Sequence, residues 1–428
     1  MENFWKFVLL SEFHVRYVVI GCTLISIGTS IVGVFVSLRK RALLGDVVSH
    51  AVLPGICLAF LWKEEKNPIW LGIGAFISGW LAIVCTDMIR RYSKLKEDAS
   101  LAIVLSIFFG AGIMLLTMIQ QSDNASQAGL DSFLFGKAAS ITSDDVKIFG
   151  GIALLIIITI TLLYKHFQIL CFDEMFAKAI GLPVKKMELL LSTLAVLAVV
   201  SGIQSVGVVL ISGMLIIPYA AARFWTNRLS VLLLIAALIG SLSSIGGVYV
   251  SYTISRMPTG PWIIVIAFFF AFISFIFGTN KGKIVKLLQN WQYQRKILDE
   301  NILKTFYQIC EKSGGNISFC SVETILSKRA YSPLKLHNAL QRLWKQGYIK
   351  PEKKCWKLTP EGYEKGKRIV KLHRLWEVYL MEHLKLNPEH VHNDAELIEH
   401  IITPELEKEL EEKLRYPQYD PHQSPIPY

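Results

Sequence analysis

Residues 15–278 form an almost unbroken apolar tract, interrupted at regular intervals by short polar breaks. Few folds fit such a pattern. A helix needs about 20 apolar residues to cross the hydrocarbon core of a bilayer, and only helices or closed barrels satisfy their own backbone polar groups there. The tract divides near 15–38, 46–62, 68–89, 99–119, 146–164, 188–203, 205–222, 229–254 and 260–278, which predicts about nine transmembrane helices. No small-residue cleavage site follows the first segment, so it is expected to remain as a span.

The charges between the segments orient them. Arg39-Lys40-Arg41, then Arg90, Arg91, Lys94 and Lys96, then Lys178, Lys185 and Lys186, then Arg223 and Arg228 fall in alternate loops. The opposite loops carry only Lys63 and Lys66 beside Glu64 and Glu65, then Lys137, then Arg256. By the positive-inside rule the basic loops are cytoplasmic. An odd number of spans then leaves the N-terminus outside and residues 279–428 in the cytoplasm.

Inside the second span, Asp46 and His50 stand four residues apart and share a helical face. Ionisable groups in a bilayer are costly and mark ion paths, and a carboxylate beside an imidazole suits a divalent first-row metal. The competing reading makes Asp46 a helix cap and His50 a hydrogen-bonding partner of a neighbouring helix. A second feature, Phe172 to Pro183, predicts a short amphipathic helix closed by Gly181 and Pro183 on the cytoplasmic side. It is either a membrane-surface helix or a docking element for a cytoplasmic subunit.

Beyond Gly278 the composition changes. Residues 281–374 hold 21 Lys/Arg against 7 Asp/Glu, a balance of +14, and residues 375–428 hold 4 against 12, a balance of −8. A basic face beside a cation-attracting region is what those signs imply. The apolar positions Ile297, Ile302, Leu303, Phe306 and Ile309 predict a helix, and Ser332-Pro333 opens another that runs to Leu343. Gly347 leads into a basic hairpin over Pro351–Thr359. In outline this is a winged helix-turn-helix, with Ser332, Lys335, Asn338 and Arg342 on the recognition helix and Lys353 and Lys354 at the wing tip as candidate DNA contacts. Further on, His373 and Glu377 are spaced i,i+4; Glu396, Glu399 and His400 follow at i, i+3 and i+4, with His392 one turn earlier. Imidazoles and carboxylates without thiols favour Mn2+ or Fe2+ over a structural zinc site. The seven cysteines are scattered without a C-x-x-C pair and suggest neither a zinc ribbon nor a disulfide framework.

The stretch Arg41–Gly55 (RALLGDVVSHAVLPG), the loop DEMFAKAIGLPVKK and the run Met214–Arg223 (MLIIPYAAAR) resemble the permeases of zinc/manganese/iron ABC importers, over essentially all of residues 10–280. The resemblance implies a dimeric pore (homo- or heterodimeric), a separate cytoplasmic ATPase, and an extracytoplasmic metal-binding protein that delivers substrate. It makes Asp46 and His50 the metal contacts of the pathway and Glu174, Ala177 and Gly181 the ATPase-coupling residues. The chain has no G-x-x-x-x-G-K-[ST] motif, consistent with a non-enzymatic subunit that relies on its partner for ATP.

Residues 297–428 resemble the diphtheria-toxin-repressor family of metal-dependent regulators. That resemblance places Glu396, Glu399 and His400 on one metal site and His373, Glu377 and His392 on a second. The chain departs from the family in the first DNA-binding helix, where Asn301 and Lys304 stand at ligand positions; Asp299 or Glu300 would have to substitute, or metal is no longer tightly coupled to that helix. The expected organisation is therefore an all-α polytopic membrane domain (1–279), a winged helix-turn-helix (280–368) and a helical metal-binding and dimerisation domain (369–428). Mn2+ or Fe2+ is the expected ion, with Zn2+ as a further candidate. The fused module is expected either to bind duplex DNA or to act as a metal-sensing gate of the transporter.

Overall fold

The computed structural model describes residues 7, 12–63, 67–121, 136, 138–254, 257–313, 320–329, 331–352, 355–384, 400 and 402–428. It separates into two compact units, Met1–Lys286 and Leu287–Tyr428.

Among the described residues the first unit is helical: α1 (Phe13–Leu38), α2 (Leu44–Lys63), α3 (Pro68–Tyr92), α4 (Glu97–Gln120), α5 (Ser143–Leu162), α6 (Tyr164–Phe172), α7 (Glu174–Ala179), α8 (Val184–Val206), α9 (Val208–Ala222), α10 (Leu229–Thr253) and α11 (Thr259–Phe277). Eight of these are long and apolar enough to cross a membrane. The segment expected as a separate span at 205–222 differs: α9 has only 15 residues and follows α8 across Gly207 alone. Gly207 sits at φ +88, a conformation open to glycine, so the backbone turns there without a loop. α8 and α9 are thus joined by a sharp turn with no loop between them, which brings Gly202 of α8 against Ile211 of α9.

Starts are set locally. Asn67 caps α3 through Ile69 N at 3.0 Å, with Pro68 at the first helical position. Thr142 and Asp145 form a reciprocal capping box at α5. Lipid does not drive helices together, so close approach depends on small residues. A Cβ on Gly33 would overlap the Leu215 carbonyl of α9, and Gly55 and Gly74 allow α2 and α3 to touch backbone to backbone. The central helix α1 packs against α5, α8, α9 and α10. Ser26 of α1 shares a hydroxyl hydrogen bond with Ser244 of α10, whose hydroxyl also donates to Cys22 O at 3.3 Å. The outward faces of α4, α5 and α11 expose Ile107, Met114, Leu154, Phe268 and Phe272, side chains that a lipid environment satisfies and water does not.

The second unit is entered along α12 (Lys283–Lys312). It continues with α13 (Val322–Lys328), capped by Ser321 through Thr324 N at 3.2 Å, and α14 (Pro333–Lys345). The antiparallel strands β1 (Ile349–Glu352) and β2 (Cys355–Leu358) follow in the register Ile349↔Leu358, and Cys320 adds an isolated bridge to Trp356. This is the helix-turn-helix and wing expected from the sequence. Ile302, Leu303, Phe306, Ile325, Leu336, Leu340, Leu343, Ile349 and Leu358 fill its core. Then come α15 (Pro360–Leu384) and α16 (Pro404–Lys413), which share a second small core of Leu375, Val378, Leu410, Leu414 and Ile426.

Candidate functional site

α2 opens at Leu44, which puts Asp46 in its first turn, where the exposed backbone N–H groups favour a carboxylate. His50 lies one turn on, with Nε2 3.6 Å from Asp46 Oδ1: near enough to share an ion, too far for a direct hydrogen bond. The Asp46 side chain is 45% exposed and that of His50 26%. His50 packs edge-on against Phe109 of α4 at 4.9 Å, and its buried Nδ1 has no hydrogen-bond partner among the described residues. The ring is thus fixed by packing while its donor atoms remain unspent. Gly45, beside Asp46, lies against Ser212 and Leu215 of α9, so the fold brings two separate sequence motifs together at this point.

The surface loop forms α6 and α7. Asp173 caps α7 through Phe176 N at 2.8 Å, and Gly181, at φ +78, closes the turn. Glu174 accepts from Lys178 at 2.6 Å and from Arg39 at 3.0 Å. The Lys178 hydrogen bond, reinforced by the Arg39 guanidinium, holds the Glu174 carboxyl below its ordinary range. Ala177 is fully buried and faces inward, so it supports the loop rather than presenting a surface. The sequence reading passed over Met175 and Phe176, which are 76% and 53% exposed. Only the local fold could reveal them, because the sequence does not say which face of so short a helix turns outward.

In the second unit, His373 Nε2 and Glu377 Oε1 of α15 are 3.1 Å apart and both side chains are almost fully buried. His400 Nδ1 lies 2.6 Å from Glu300 Oε2 of α12. Asp299, the other candidate substitute, is committed elsewhere: its two oxygens take Arg342 Nη2 at 2.7 Å and Nε at 3.2 Å. Asn301 Oδ1 is buried with no hydrogen-bond partner among the described residues, and Lys304 is completely buried one turn after Glu300. His392, Glu396 and Glu399 lie outside the described residues. Among the described residues no three His, Cys, Asp or Glu side chains converge to hold a metal; the donors come as two imidazole–carboxylate pairs. Thiols do not join them. Burial, helped by Cys310 and Cys355 nearby, pushes the Cys320 thiol up to about 11, which keeps it protonated as a core residue.

On α14, Ser332, Lys335 and Asn338 are exposed on one side while Leu336, Ala339, Leu340 and Leu343 face the core. Arg342 is drawn onto Asp299 and is 25% exposed. Lys353 and Lys354 lie outside the described residues.

Comparison with known proteins gives two family matches. Residues 12–278 match the ABC 3 transport family, and residues 359–428 match the iron dependent repressor, metal binding and dimerisation domain. The manganese transport system membrane protein MntC of Bacillus subtilis is 38% identical over 387 residues, spanning 90% of this chain and 88% of that protein. The zinc transport system membrane protein TroC of Treponema pallidum is 39% identical over 287 residues, 67% of this chain and 95% of that protein. Among solved structures, PsaBC from Streptococcus pneumoniae in complex with Fab matches with a TM-score of 0.58 and 31% identity, covering 65% of this chain and 97% of that one.

Proposed function

The chain belongs to the ABC 3 transport family, and from that premise we propose that it is the permease subunit of an ATP-driven importer of a divalent transition metal, carrying a fused metal-responsive regulator. As a multi-pass protein of the cytoplasmic membrane it works with a separate ATPase and with an extracytoplasmic metal-binding protein; a second permease subunit, identical or not, completes the pore. Mn2+ or Fe2+ is the assigned substrate, with Zn2+ next, because one carboxylate and one imidazole suit all three and selection rests partly on availability. Asp46 and His50 are the assigned pathway contacts. The observation that carries the assignment is a carboxylate and an imidazole one turn apart on α2, the ring held by Phe109 with a ring nitrogen unspent. During transport Asp46 supplies charge for the ion and His50 an imidazole nitrogen, while alternating access is driven by the partner's ATP hydrolysis. Radiolabelled Mn2+ uptake in cells lacking the native chain tests this: Asp46→Ala or His50→Ala should abolish uptake with insertion unchanged. Normal uptake by the double variant would leave Asp46 a mere cap.

The regulator's donor set fits a Mn2+ or Fe2+ cofactor. His373, Glu377, Glu300 and His400 are imidazoles and carboxylates, and the Asn301 oxygen is buried and unspent. His392, Glu396 and Glu399 are assigned to the same two sites. Bound metal would supply positive charge beside the Glu300 and Glu377 carboxylates, each of which has an imidazole for its neighbour. Glu300, rather than Asp299, is assigned as the contribution of α12. We assign 280–368 to DNA reading, through Ser332, Lys335, Asn338, Arg342, Lys353 and Lys354, and 369–428 to metal binding and dimerisation. The second reading, a gate that never touches DNA, draws support from Arg342, whose guanidinium is occupied by Asp299. Full-length protein in nanodiscs with duplex DNA separates them: DNA readout requires affinity that falls steeply with salt, and no binding at low salt favours the gate.

A further inference from the structure

We infer that Arg39 is a positioning residue, the tie that transmits movement of the surface helix α7 to the helix bearing Asp46 and His50. This rests on the permease reading and adds a part to it. Arg39 caps the C-terminus of α1, and the chain then turns through Lys40, at φ +62, and Arg41 before α2 begins at Leu44. The Arg39 side chain is only 12% exposed. Its Nη1 donates to Leu170 O of α6 at 2.9 Å; its Nη2 donates to Glu174 of α7 at 3.0 Å and also reaches Glu188 of α8. Glu188 in turn lies 3.9 Å from Arg90 of α3.

Arg41, 8% exposed, reaches the other way, to Asp87 of α3 at 3.3 Å and Glu97 of α4 at 2.5 Å. Arg90 closes the ring with Glu97 at 3.4 Å. The whole cluster balances: Arg39, Arg41, Arg90 and Lys178 face Asp87, Glu97, Glu174 and Glu188. A basic loop that served only to orient the protein would need solvated charges, and Lys40, which is exposed, provides one. Arg39 and Arg41 are instead withdrawn from water, and removing one partner from a shielded ion cluster strands the others. The turn between α1 and α2 is therefore held to α7 on one side and to α3 and α4 on the other. A shift of α7 must either carry that turn, and with it the first turn of α2, or break the cluster. The planar fork of arginine reaches separated acceptors from two different nitrogens, whereas a lysine gathers its three donors on one atom.

The test uses the assembled transporter in nanodiscs, with its ATPase and extracytoplasmic binding protein, measuring ATP hydrolysis and Mn2+ movement together. R39A should retain hydrolysis while metal moved per ATP falls roughly 5- to 150-fold, the usual span of a coupling between sites. E174A should act in the same direction, and the double variant should be little worse than R39A alone, since R39A already removes the Arg39–Glu174 bond. R39K should recover part of the ratio, and K40A should behave as wild type. If R39A does not assemble, R39K and E174A decide by the same ratio. Hydrolysis and transport falling in proportion, or additive losses in the double variant, would overturn the inference. A wild-type complex that moves no metal would instead overturn the permease reading.

Discussion

Replacing Glu300 by Gln is the most direct probe of how metal reaches the DNA-reading half. In the structure the Glu300 carboxylate is 2.6 Å from His400 Nδ1, with Lys296 Nζ 3.8 Å away. The substitution keeps the shape and removes the charge. Whether that carboxylate binds the ion or orients the imidazole that does, such a loss typically weakens metal affinity about 10- to 100-fold, or roughly 1.4–2.8 kcal/mol. Asp299→Asn is the matched control, because Asp299 is spent on Arg342 and should leave metal affinity unchanged. Its cost falls on the α12–α14 contact, about 1 kcal/mol for a partly exposed pair. Mn2+ titration of full-length protein, followed by the EPR signal of the free ion in an Asp46→Ala/His50→Ala background, isolates the regulator from the pore. If E300Q binds Mn2+ as tightly as the parent while D299N does not, the assignment of Glu300 is wrong and α12 engages metal through another residue.

Ala177→Arg should abolish uptake by forcing a long side chain into a fully buried position, at a cost of about 1–3 kcal/mol from overpacking, whereas Met175→Ala with Phe176→Ala should leave folding intact and remove the response of the ATPase; co-purification of the ATPase distinguishes the two. Because Glu174 is held below its ordinary range, its ion pairs contribute above the unfolded carboxylate value and fail only as pH falls through the lowered one; the ratio of metal per ATP in wild type to that in E174A should therefore be flat from pH 5 to 8, and a ratio that collapses to one within that interval would refute the Glu174 anchor. Gly55→Val should destabilise the bundle, since its Cβ would overlap the Gly74 carbonyl; thermal unfolding in detergent at the wild-type midpoint would contradict that packing.

Periodicity carried most of the fold because the bilayer leaves the backbone few choices. Among the described residues eight full-length apolar helices stand where segments of that kind were expected, and the wing and recognition helix follow from Ser332-Pro333 and Gly347. The exception was local. Residues 205–222 have the composition of a span, but Gly207 lets the chain turn inside the bundle, and no hydropathy window registers a single φ. That Asp46 and His50 lie side by side on one helical face was legible because i,i+4 spacing survives folding unchanged. Ala177 was legible as part of the loop but not as a buried residue, since inside and outside on a six-residue helix are decided by what it packs against.

Arginines near the membrane illustrate the same boundary more sharply. Counting Lys and Arg by loop recovers orientation, which depends only on where positive charge sits. Arg39 and Lys40 contribute equally to that count, yet one is nearly enclosed by Leu170, Glu174 and Glu188 while the other faces solvent. Those partners come from positions more than 130 residues away in sequence, so no local pattern announces them. Likewise Asp299 and Glu300 are adjacent carboxylates on a charged helix, indistinguishable by composition. The helical turn sends one to Arg342 and the other to His400, and that divergence, which composition does not register, is why the two adjacent carboxylates call for opposite expectations in the same titration.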